Sequence, residues 1–381
     1  MRPIVIVGAG IAGLALAAAL QRRGAPVLVL EAHDRLSTAG AGISLWPNAL
    51  AALDEIGLGA PVREAGGAAI SGGIRRADGR WLRHVDPARA QAALGEPVVA
   101  IHRADLLAIL ASVVDAGAIR FATKVEQIAP STSEVTVGMA DGSSLAARAV
   151  VGADGVGSVA ARHLNPRVAR RYAGYTAWRG IAEHNLRGIE PSQTWGPGGE
   201  FGFLPMGPHR TYWFATQHAP EGQRREPERE LAHLSRIYAN WHPPIGELIE
   251  ATEPGNLLRH DVHDRPAART WSAGPVTLIG DAAHPMRPHL GQGGCQALID
   301  AVVLARLIAQ ADTLPAAFAQ FAARRRGDTG RAIRTSAILG SVIHSRGPLR
   351  PLLHALAGVT PQVVAVRAMA TIAGRHAFPA P

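Results

Sequence analysis

The sequence predicts an α/β fold, in which an α/β domain carries an inserted antiparallel domain and the chain ends in a helical segment. Three observations support this prediction. An apolar run at Ile4–Val7, a helical stretch at Ala12–Arg23 and a second apolar run at Pro26–Glu31 indicate a β-turn-α-β unit. After about Tyr172 the chain changes to short, aromatic-rich strands with Gly/Pro turns. From about Leu314 onward it is helical and rich in arginine.

The other elements follow from local patterns. Helices are expected over Pro47–Ile56, which begins with proline and is followed by glycine, and over Arg103–Val114, which has leucines on one side. An Asp-Gly turn dipeptide predicts a hairpin between Glu134–Met139 and Ser144–Val151. The remaining predictions are strands at Arg80–Arg83, Tyr175–Ala182, Gln193–Gly196, Glu200–Leu204, Arg210–Gln217 and Pro275–Ile279, and helices at Glu228–Trp241, Ile245–Glu250 and Gly293–Gln310.

Composition limits the class of protein. At about 150 residues per domain, 381 residues suggest two to three domains, and 47% hydrophobic against 18% charged residues predicts a large core rather than a disordered chain. The single cysteine, Cys295, excludes an intramolecular disulfide framework and is typical of a reducing, cytoplasmic location. No apolar run reaches the roughly 18 uninterrupted residues that a membrane span needs, so no span is expected.

The chain is basic, with 39 Lys and Arg residues against 30 Asp and Glu residues. Only Lys124 is a lysine, and no recognisable nucleic-acid-binding module accompanies the arginines. We therefore expect no nucleic-acid partner. Electrostatic attraction of an anionic substrate or of a nicotinamide phosphate is the better interpretation of the excess charge.

The strongest local motif is the glycine-rich segment Gly8-Ala9-Gly10-Ile11-Ala12-Gly13, which follows a strand and opens a helix. Gly8 permits the tight turn, Gly10 lets a pyrophosphate approach the backbone, and Gly13 allows close packing of helix on strand. Glu31, at the end of the next strand, can accept hydrogen bonds from ribose hydroxyls. Together they predict a Rossmann-like dinucleotide-binding unit, without distinguishing NAD from FAD.

Two later motifs make that distinction. Val150–Ser158 places Asp154-Gly155 after a strand, and Val276–Ile279 ends in Gly280-Asp281-Ala282-Ala283-His284-Pro285. With the glycine-rich segment, they resemble the three ordered motifs of the class A FAD-dependent aromatic hydroxylases, the group of para-hydroxybenzoate, salicylate and urate hydroxylases. The resemblance covers roughly residues 1–340 and includes Gly42–Leu50 and His102–Leu106. Arg171–Tyr175 with Trp178–Gly180 is most similar to the urate and salicylate branch.

The resemblance implies a set of cofactor-binding residues. Asp281 matches the carboxylate that holds the FAD ribityl hydroxyls, Arg103 an arginine near the pyrophosphate, and Val125 an adenine-contacting backbone. Residues 290–294 match a loop whose backbone N–H groups face the flavin, and a helix that begins around Gly293 would stabilise negative charge there. The full expected set is Gly8, Gly10, Ala12, Gly13, Glu31, Ala32, Ser44, Arg103, Val125, Asp154, Asp281, Leu290, Gly291, Gln292, Gly293 and Gly294.

The implied activity is that of an FAD-dependent monooxygenase. The resemblance implies non-covalent FAD, NAD(P)H as a transient co-substrate, O2 activated as a C4a-hydroperoxyflavin, and hydroxylation of a small aromatic or heteroaromatic ring. Candidate catalytic residues are Tyr212 and Arg179 for the substrate, and the Pro288 carbonyl with His289 for polar contacts. Two alternatives stay open: a same-fold epoxidase or oxidase that acts on a natural product, and a flavin-binding protein without turnover.

Several residues bear on the identity of the substrate and on whether a metal is bound. Urate-hydroxylating relatives carry an arginine on the strand before a Leu-Met-Pro stretch, whereas residues 199–206 contain none, so urate is not the expected substrate. Phe201, Phe203, Met206 and Trp213 suggest a more apolar site. His260 and His263 resemble a metal pair, but residues three apart on a strand point to opposite faces, so no metal is expected.

The resulting domain organisation is discontinuous. The expected divisions are an FAD-binding domain of residues 1–72, 99–172 and 266–340, a substrate domain of residues 73–98 and 173–265, and a C-terminal helical segment of residues 341–381.

Overall fold

A computed structural model describes residues 2–37, 41–70, 72–131, 134–167, 169–186 and 188–380. The strands are β1 Ile4–Val7, β2 Val27–Leu30, β3 Gly42–Leu45, β4 Gly67–Ala69, β5 Gly73–Arg76, β6 Trp81–His84, β7 Val98–His102, β8 Ile119–Arg120, β9 Val125–Pro130, β10 Val135–Met139, β11 Ser144–Ala147, β12 Ala149–Gly152, β13 Arg171–Ala182, β14 Gln193–Gly196, β15 Gly199–Pro205, β16 Thr211–His218, β17 Thr252–Asp264, β18 Ser272–Ala273 and β19 Val276–Leu278. The helices are α1 Ile11–Gln21, α2 Pro47–Glu55, α3 Gly59–Ala65, α4 Pro87–Leu94, α5 Arg103–Ala111, α6 Val159–Leu164, α7 Pro227–Tyr238, α8 Ile245–Glu250, α9 Gly293–Gln310, α10 Leu314–Ile343, α11 Leu349–Val359 and α12 Gln362–Ala373.

The first sheet has the order β18-β19-β12-β1-β2-β8. Its pairs are parallel except for β18 with β19. Every residue of β1, β2 and β12 is buried, which shows that both faces of this sheet are covered. Helices α1 and α9 pack together in the same core. Val7, Gly152 and Leu278 stand side by side, which brings the three motif loops that follow them to one edge of the sheet.

The second sheet has the order β17-β13-β16-β15-β14-β5-β6 and is antiparallel except between β14 and β5. Helices α7 and α8 cover one of its faces, around a core that contains Trp178, Phe201, Trp213 and Tyr238. The expectation that Phe201 and Trp213 shape the substrate site is therefore wrong. Side chains alternate along a strand, and these two point toward the helices rather than toward the opposite, open face.

One predicted strand is divided in the structure. Residues 144–151 were expected to form a single hairpin strand, but β11 pairs with β10, whereas β12 joins the parallel sheet beside β1. The burial pattern explains the break at Arg148: β11 is partly exposed, while every residue of β12 is buried. The short elements α3, α4, β3 and β7 lie in Gly-, Ala- and Pro-rich sequence whose periodicity is too brief to predict them.

The C-terminal helices close the fold. Helix α10 packs on α9, α11 packs on β6, and α12 packs on α4 and α2. Helix α9 is long and apolar enough to cross a membrane, but 67% of it is buried inside the protein, as expected of a core helix. Helices α11 and α12 are long and apolar enough for a membrane crossing only if they are taken together, and the chain bends by 89° between them.

A buried ionic cluster supports the turn of residues 280–285. Asp300 of α9 accepts hydrogen bonds from the Gly280 amide at 2.9 Å and from Arg325 Nε of α10 at 2.7 Å, and its other close partner is His284. Burial alone would raise the pKa of Asp300, but the charges of His284 and Arg325 outweigh it and lower that pKa. The cluster therefore holds an ionised carboxylate beneath the turn that carries Asp281.

We expect Asp300→Asn to lower the free energy of unfolding by about 3–5 kcal/mol, because it removes the buried counter-charge of Arg325 and leaves only the more distant, partly exposed Asp328. Urea unfolding at neutral pH followed by circular dichroism measures this. Because the pKa of Asp300 is lower in the folded chain, its contribution is present above the unfolded pKa of about 4 and is lost as the pH falls. The difference between wild type and variant should therefore shrink in acid.

The matched control is Asp312→Asn, in the segment between α9 and α10. Asp312 is exposed, so its loss should cost no more than about 1 kcal/mol. Equal stability of wild type and Asp300→Asn at neutral pH would contradict the role given to the cluster.

Candidate active site

A cavity of about 1540 Å³ lies between the motif edge of the first sheet and the open face of the second. Small-molecule pockets usually measure about 300–1,000 Å³, so this cavity has room for a cofactor and a substrate together. It continues past β5 and the loop before β7 toward α10 and α12, where Ile74, Val98, Val342 and Ile372 line it.

The glycine-rich turn brings the N-terminus of α1 to the cavity. Gly8 has φ +99°, and a Cβ there would lie 2.8 Å from the Ala153 carbonyl oxygen, so glycine is required. A Cβ on Gly13 would lie 1.9 Å from the Gly8 oxygen, which is the close helix–strand packing that the motif predicts. Gly10 lines the cavity with open space above its Cα. The turn therefore presents bare backbone and a helix N-terminus to an incoming phosphate.

Glu31 is fixed beside this turn. Its carboxylate accepts hydrogen bonds from the Ala9 amide at 2.7 Å and the His33 amide at 3.0 Å. Burial would raise the pKa of Glu31, but these amides and the His33 ring lower it overall. The ionised carboxylate stands where the motif places the acceptor for ribose hydroxyls.

Asp281 is the carboxylate that faces the cavity. It lines the cavity and is exposed to it, and within the described residues no hydrogen bond reaches its side chain. Its carbonyl oxygen is held by Arg265 at 2.8 Å, so the turn is rigid while the carboxylate is available. Burial raises the pKa of Asp281, although the charges of His284, Arg265 and Arg103 oppose the rise. A ligand with hydroxyl groups fits this group, as the ribityl chain of FAD does.

Arginines give the cavity an excess of positive charge. Arg103 and Arg179 line it, and in the described part of the chain neither forms an ion pair. Burial lowers the pKa of Arg103, and the charge of Arg179 lowers it further. The lining also contains Arg83, Arg287, Arg331 and Arg334, so arginines outnumber the two lining acidic residues, Glu200 and Asp281. This excess favours an anionic ligand, which the FAD pyrophosphate satisfies.

The loop at the start of α9 packs against β3. Gly291 has φ +61°, and a Cβ there would lie 2.9 Å from Ser44 Oγ, whereas one on Gly294 would lie 2.7 Å from Ile43 Cδ1. Cys295 follows within the same helix, fully buried, and burial raises the pKa of its thiol to about 12. The thiol is therefore a packed, uncharged group, while the backbone of the loop faces the cavity beneath the helix N-terminus.

The register of the second sheet determines which side chains stand side by side on the opposite wall of the cavity. Glu200, Thr216, Ala177 and His260 stand in one row across four strands. The next row contains Gly202, Phe214, Arg179 and Leu258, and Leu204 stands beside Tyr212 in the third. A Cβ on Gly202 would lie 2.3 Å from the Phe214 ring, so that ring covers the strand. The second and third rows of this wall are therefore apolar around one guanidinium, that of Arg179.

A three-residue clamp joins this wall to the flavin loop. His289 Nδ1 donates to Glu200 Oε1 at 2.7 Å, and His289 Nε2 lies 2.9 Å from the Tyr175 hydroxyl. The imidazole has no exposed surface and the Glu200 side chain is 1% exposed, so neither reaches a ligand in the cavity. The expectation that the His289 side chain touches the substrate is therefore corrected: it fixes the backbone of residues 288–290, which does line the cavity.

His344, from the end of α10, supports the clamp. Its ring stacks on Tyr175 with centroids 4.0 Å apart, and its Nδ1 donates to the Gly198 carbonyl at 3.2 Å. Burial lowers the pKa of His344 to about 3, so the ring is neutral and Nε2 accepts from the Thr216 hydroxyl at 3.0 Å.

The structure brings most of the expected site residues together. Those that line the cavity are Gly10, Ala12, Ser44, Arg103, Arg179, Tyr212, Asp281, Pro288, His289, Leu290, Gly291, Gly293 and Gly294. Those outside its lining are Gly8, Gly13, Glu31, Ala32, Val125, Asp154 and Gln292. Asp154 accepts a hydrogen bond from the Val159 amide at 2.7 Å at the start of α6, and Gln292 bonds Asn48 and Gln296, so both side chains support loops.

Sequence reasoning missed several residues. Glu200 and Tyr175 of the clamp were not singled out, because nothing near them in the sequence marks their shared partner. His260 was considered only with His263, yet His260 lines the cavity whereas His263 bonds Glu221 at 2.8 Å. Because residues three apart on a strand point to opposite faces, only one of these two histidines can face the cavity, and this alternation is the signal that could have identified His260.

Comparison with known proteins identifies the class. A model of the family described as FAD binding domain matches residues 1–317, and the chain belongs to this family. Aurachin C monooxygenase/isomerase of Stigmatella aurantiaca is 40% identical over 324 residues, 84% of each chain. The 2-heptyl-3-hydroxy-4(1H)-quinolone synthase of Pseudomonas aeruginosa is 34% identical over 312 residues, 80% of each chain. The structure of Klebsiella pneumoniae HpxO with FAD and uric acid has a TM-score of 0.90 at 27% identity, covering 97% of this chain and 96% of that one.

The protein is an FAD-dependent monooxygenase of the class A aromatic hydroxylase type. The predicted fold class, the FAD cofactor with NAD(P)H as co-substrate and the enzyme class are confirmed by these relatives and by the fold.

We expect Asp281→Ala to weaken FAD binding about ten- to a hundredfold, because charge-assisted hydrogen bonds of about 1.5–3 kcal/mol are lost. Equilibrium dialysis of the apoprotein with FAD measures this. Asp105→Ala is the control, since Asp105 is an exposed carboxylate two residues from Arg103 and outside the cavity lining. Unchanged affinity in Asp281→Ala would show that the cofactor lies elsewhere.

The clamp predicts an effect on turnover. Glu200→Ala removes the acceptor that fixes His289. We expect kcat to fall about ten- to a hundredfold, because a misplacement of about an ångström near the reacting groups has an effect of this size. More hydrogen peroxide should also be released per NAD(P)H consumed. Glu200→Gln keeps an acceptor for Nδ1 and should recover much of the loss. Steady-state kinetics with a peroxide assay measures both, and wild-type coupling in Glu200→Ala would refute the clamp.

Proposed function

We propose that the enzyme hydroxylates a hydroxylated N-heteroaromatic ring that carries an apolar chain. The shape of the cavity supports this proposal. Around Arg179, one part of the wall has the size of an aromatic ring and is formed by Phe214, Leu258 and Tyr212. This part continues into an apolar extension beside α10 and α12. An alkyl chain gains about 0.8 kcal/mol per buried CH₂ group, so such an extension selects chain-bearing substrates. The heptyl-quinolone named for the Pseudomonas relative has this form.

Arg179 is the proposed contact for a ring oxygen. A guanidinium in an apolar wall stabilises an oxyanion strongly, because water competes little there. Burial raises the pKa of Tyr212, against the opposing charge of Arg179, so its hydroxyl stays protonated. Burial also lowers the pKa of His260, helped by Arg179 and Arg103, so the ring is neutral at pH 7. The positive charge that meets the substrate is therefore that of Arg179.

The residues of the protein surround the cofactor and the substrate ring. Bound FAD supplies hydride acceptance and the activation of O2. Pro288 and the first residues of α9, Gly293 and Gly294, line the cavity where the flavin would lie. The apolar wall excludes water from the ring. Urate fits this wall poorly, since the Phe214 ring covers Gly202 on the strand where urate-hydroxylating relatives carry an arginine. We place this activity in the cytoplasm, where a free buried thiol such as Cys295 persists.

The test is ligand-stimulated NAD(P)H consumption. We expect 2-heptyl-4-quinolone to accelerate it and to give a product one oxygen atom heavier, whereas unsubstituted 4-quinolone should show a KM at least about a hundredfold higher. Arg179→Met should lower kcat/KM about ten- to a hundredfold, and Arg179→Lys less. Arg324→Met, an exposed arginine outside the cavity lining, is the control. Stimulation by urate and none by the alkylquinolone would overturn the proposal.

A further inference from the structure

Helix α11 exposes an apolar stripe. Leu349, Leu352, Leu356 and Val359 are 62%, 56%, 55% and 76% exposed. Their spacing of three, four and three residues places them on one side of the helix. The other side is packed: His354 is buried with its ring 5.5 Å from that of Trp195, and Gly358 lies against Leu82. The stripe is thus an unpartnered apolar face on a docked helix, larger than scattered surface leucines would give.

The stripe runs into the rim of the cavity. Val359 is followed by Thr360, which lines the cavity, and then by Val363 and Val364 at 36% and 56% exposed. Val364 and Ile338, itself 65% exposed, line the cavity too. Apolar side chains therefore surround the point where the apolar extension of the cavity reaches the surface.

The segment of sequence that carries this stripe has charge of one sign. No Asp or Glu follows Asp328, so all 30 acidic residues precede residue 329. Arg334, Arg346, Arg350 and Arg367 lie in this part, and among the residues that the structure describes none of them forms an ion pair. Asp86 is the acidic residue that contacts the start of α12, through its amide and Gln362, and the arginines of the segment outnumber it. Exposed apolar groups with an excess of cations fit a surface that is apolar inside and negatively charged at its boundary.

We propose that α11 and the start of α12 bind the surface of an anionic lipid bilayer, with the cavity rim against the lipid. The leucines and valines enter the boundary of the acyl chains and the arginines meet the phosphates. Helix α11 is about 17 Å long and cannot cross a hydrocarbon core of about 30 Å, so it lies in the interface. A symmetric dimer through the same face would bring like charges together, which disfavours a second copy as the occupant.

The experiment is flotation of the FAD-loaded enzyme with lipid vesicles, without substrate, so that its outcome is independent of the proposed ring chemistry. We expect binding to phosphatidylcholine vesicles that contain phosphatidylglycerol, weaker binding to phosphatidylcholine alone, and a decline with added salt. The double variant Leu352→Gln/Leu356→Gln should bind at least about tenfold less. Arg350→Gln/Arg367→Gln should lose the preference for anionic vesicles.

Val113→Gln is the matched control, because Val113 is 47% exposed but lies just after α5, away from the stripe. It should bind like wild type. Flavin absorbance and the melting temperature, both unchanged, show that the variants are folded. The proposal is overturned if wild type does not bind at low salt, or if the leucine variant binds equally well. It is also overturned if wild type is a dimer in light scattering and the leucine variant a monomer.

Discussion

The hydrogen bond between His289 and Glu200 connects the two halves of the site. Both partners are buried, 89 residues apart in sequence, and they join the flavin loop to the wall that faces the substrate. A buried charged acceptor is costly unless it is fully paired, so Glu200 constrains the ring of His289 firmly. Tyr175 and the neutral ring of His344 complete the packing around it. The two walls of the cavity are thus joined by a contact whose side chains are not exposed to a ligand.

The first half of the site could be predicted from the sequence because its geometry is local. Gly8 and Asp281 lie in turns that follow parallel strands of the first sheet, Gly13 lies in the helix that one turn opens, and such turns have characteristic residues. Parallel pairing then brings their loops to one edge. The buried strands β1, β2 and β19 read as continuous apolar runs, which is why their bounds were nearly correct.

The second half could not be predicted in the same way. The row from Glu200 to His260 depends on the register of four antiparallel strands, and a shift of one residue would turn each side chain to the other face. The misplacement of Phe201 and Trp213 arose there, since aromatic residues on a strand suit either face. The buried position of His289 likewise depends on an element far away in sequence, which local pattern does not reveal.

The carboxylate of Asp281, to which no other side chain donates a hydrogen bond among the described residues, has a consequence for the stability of the enzyme. Without a ligand, the folded chain keeps Asp281 and two guanidinium groups in a cavity where their charges are only partly solvated. A ligand that binds only the folded state stabilises it in proportion to the logarithm of its free concentration. We therefore expect the free energy of unfolding, and with it the amount of intact enzyme that a cell retains, to rise with the concentration of free FAD.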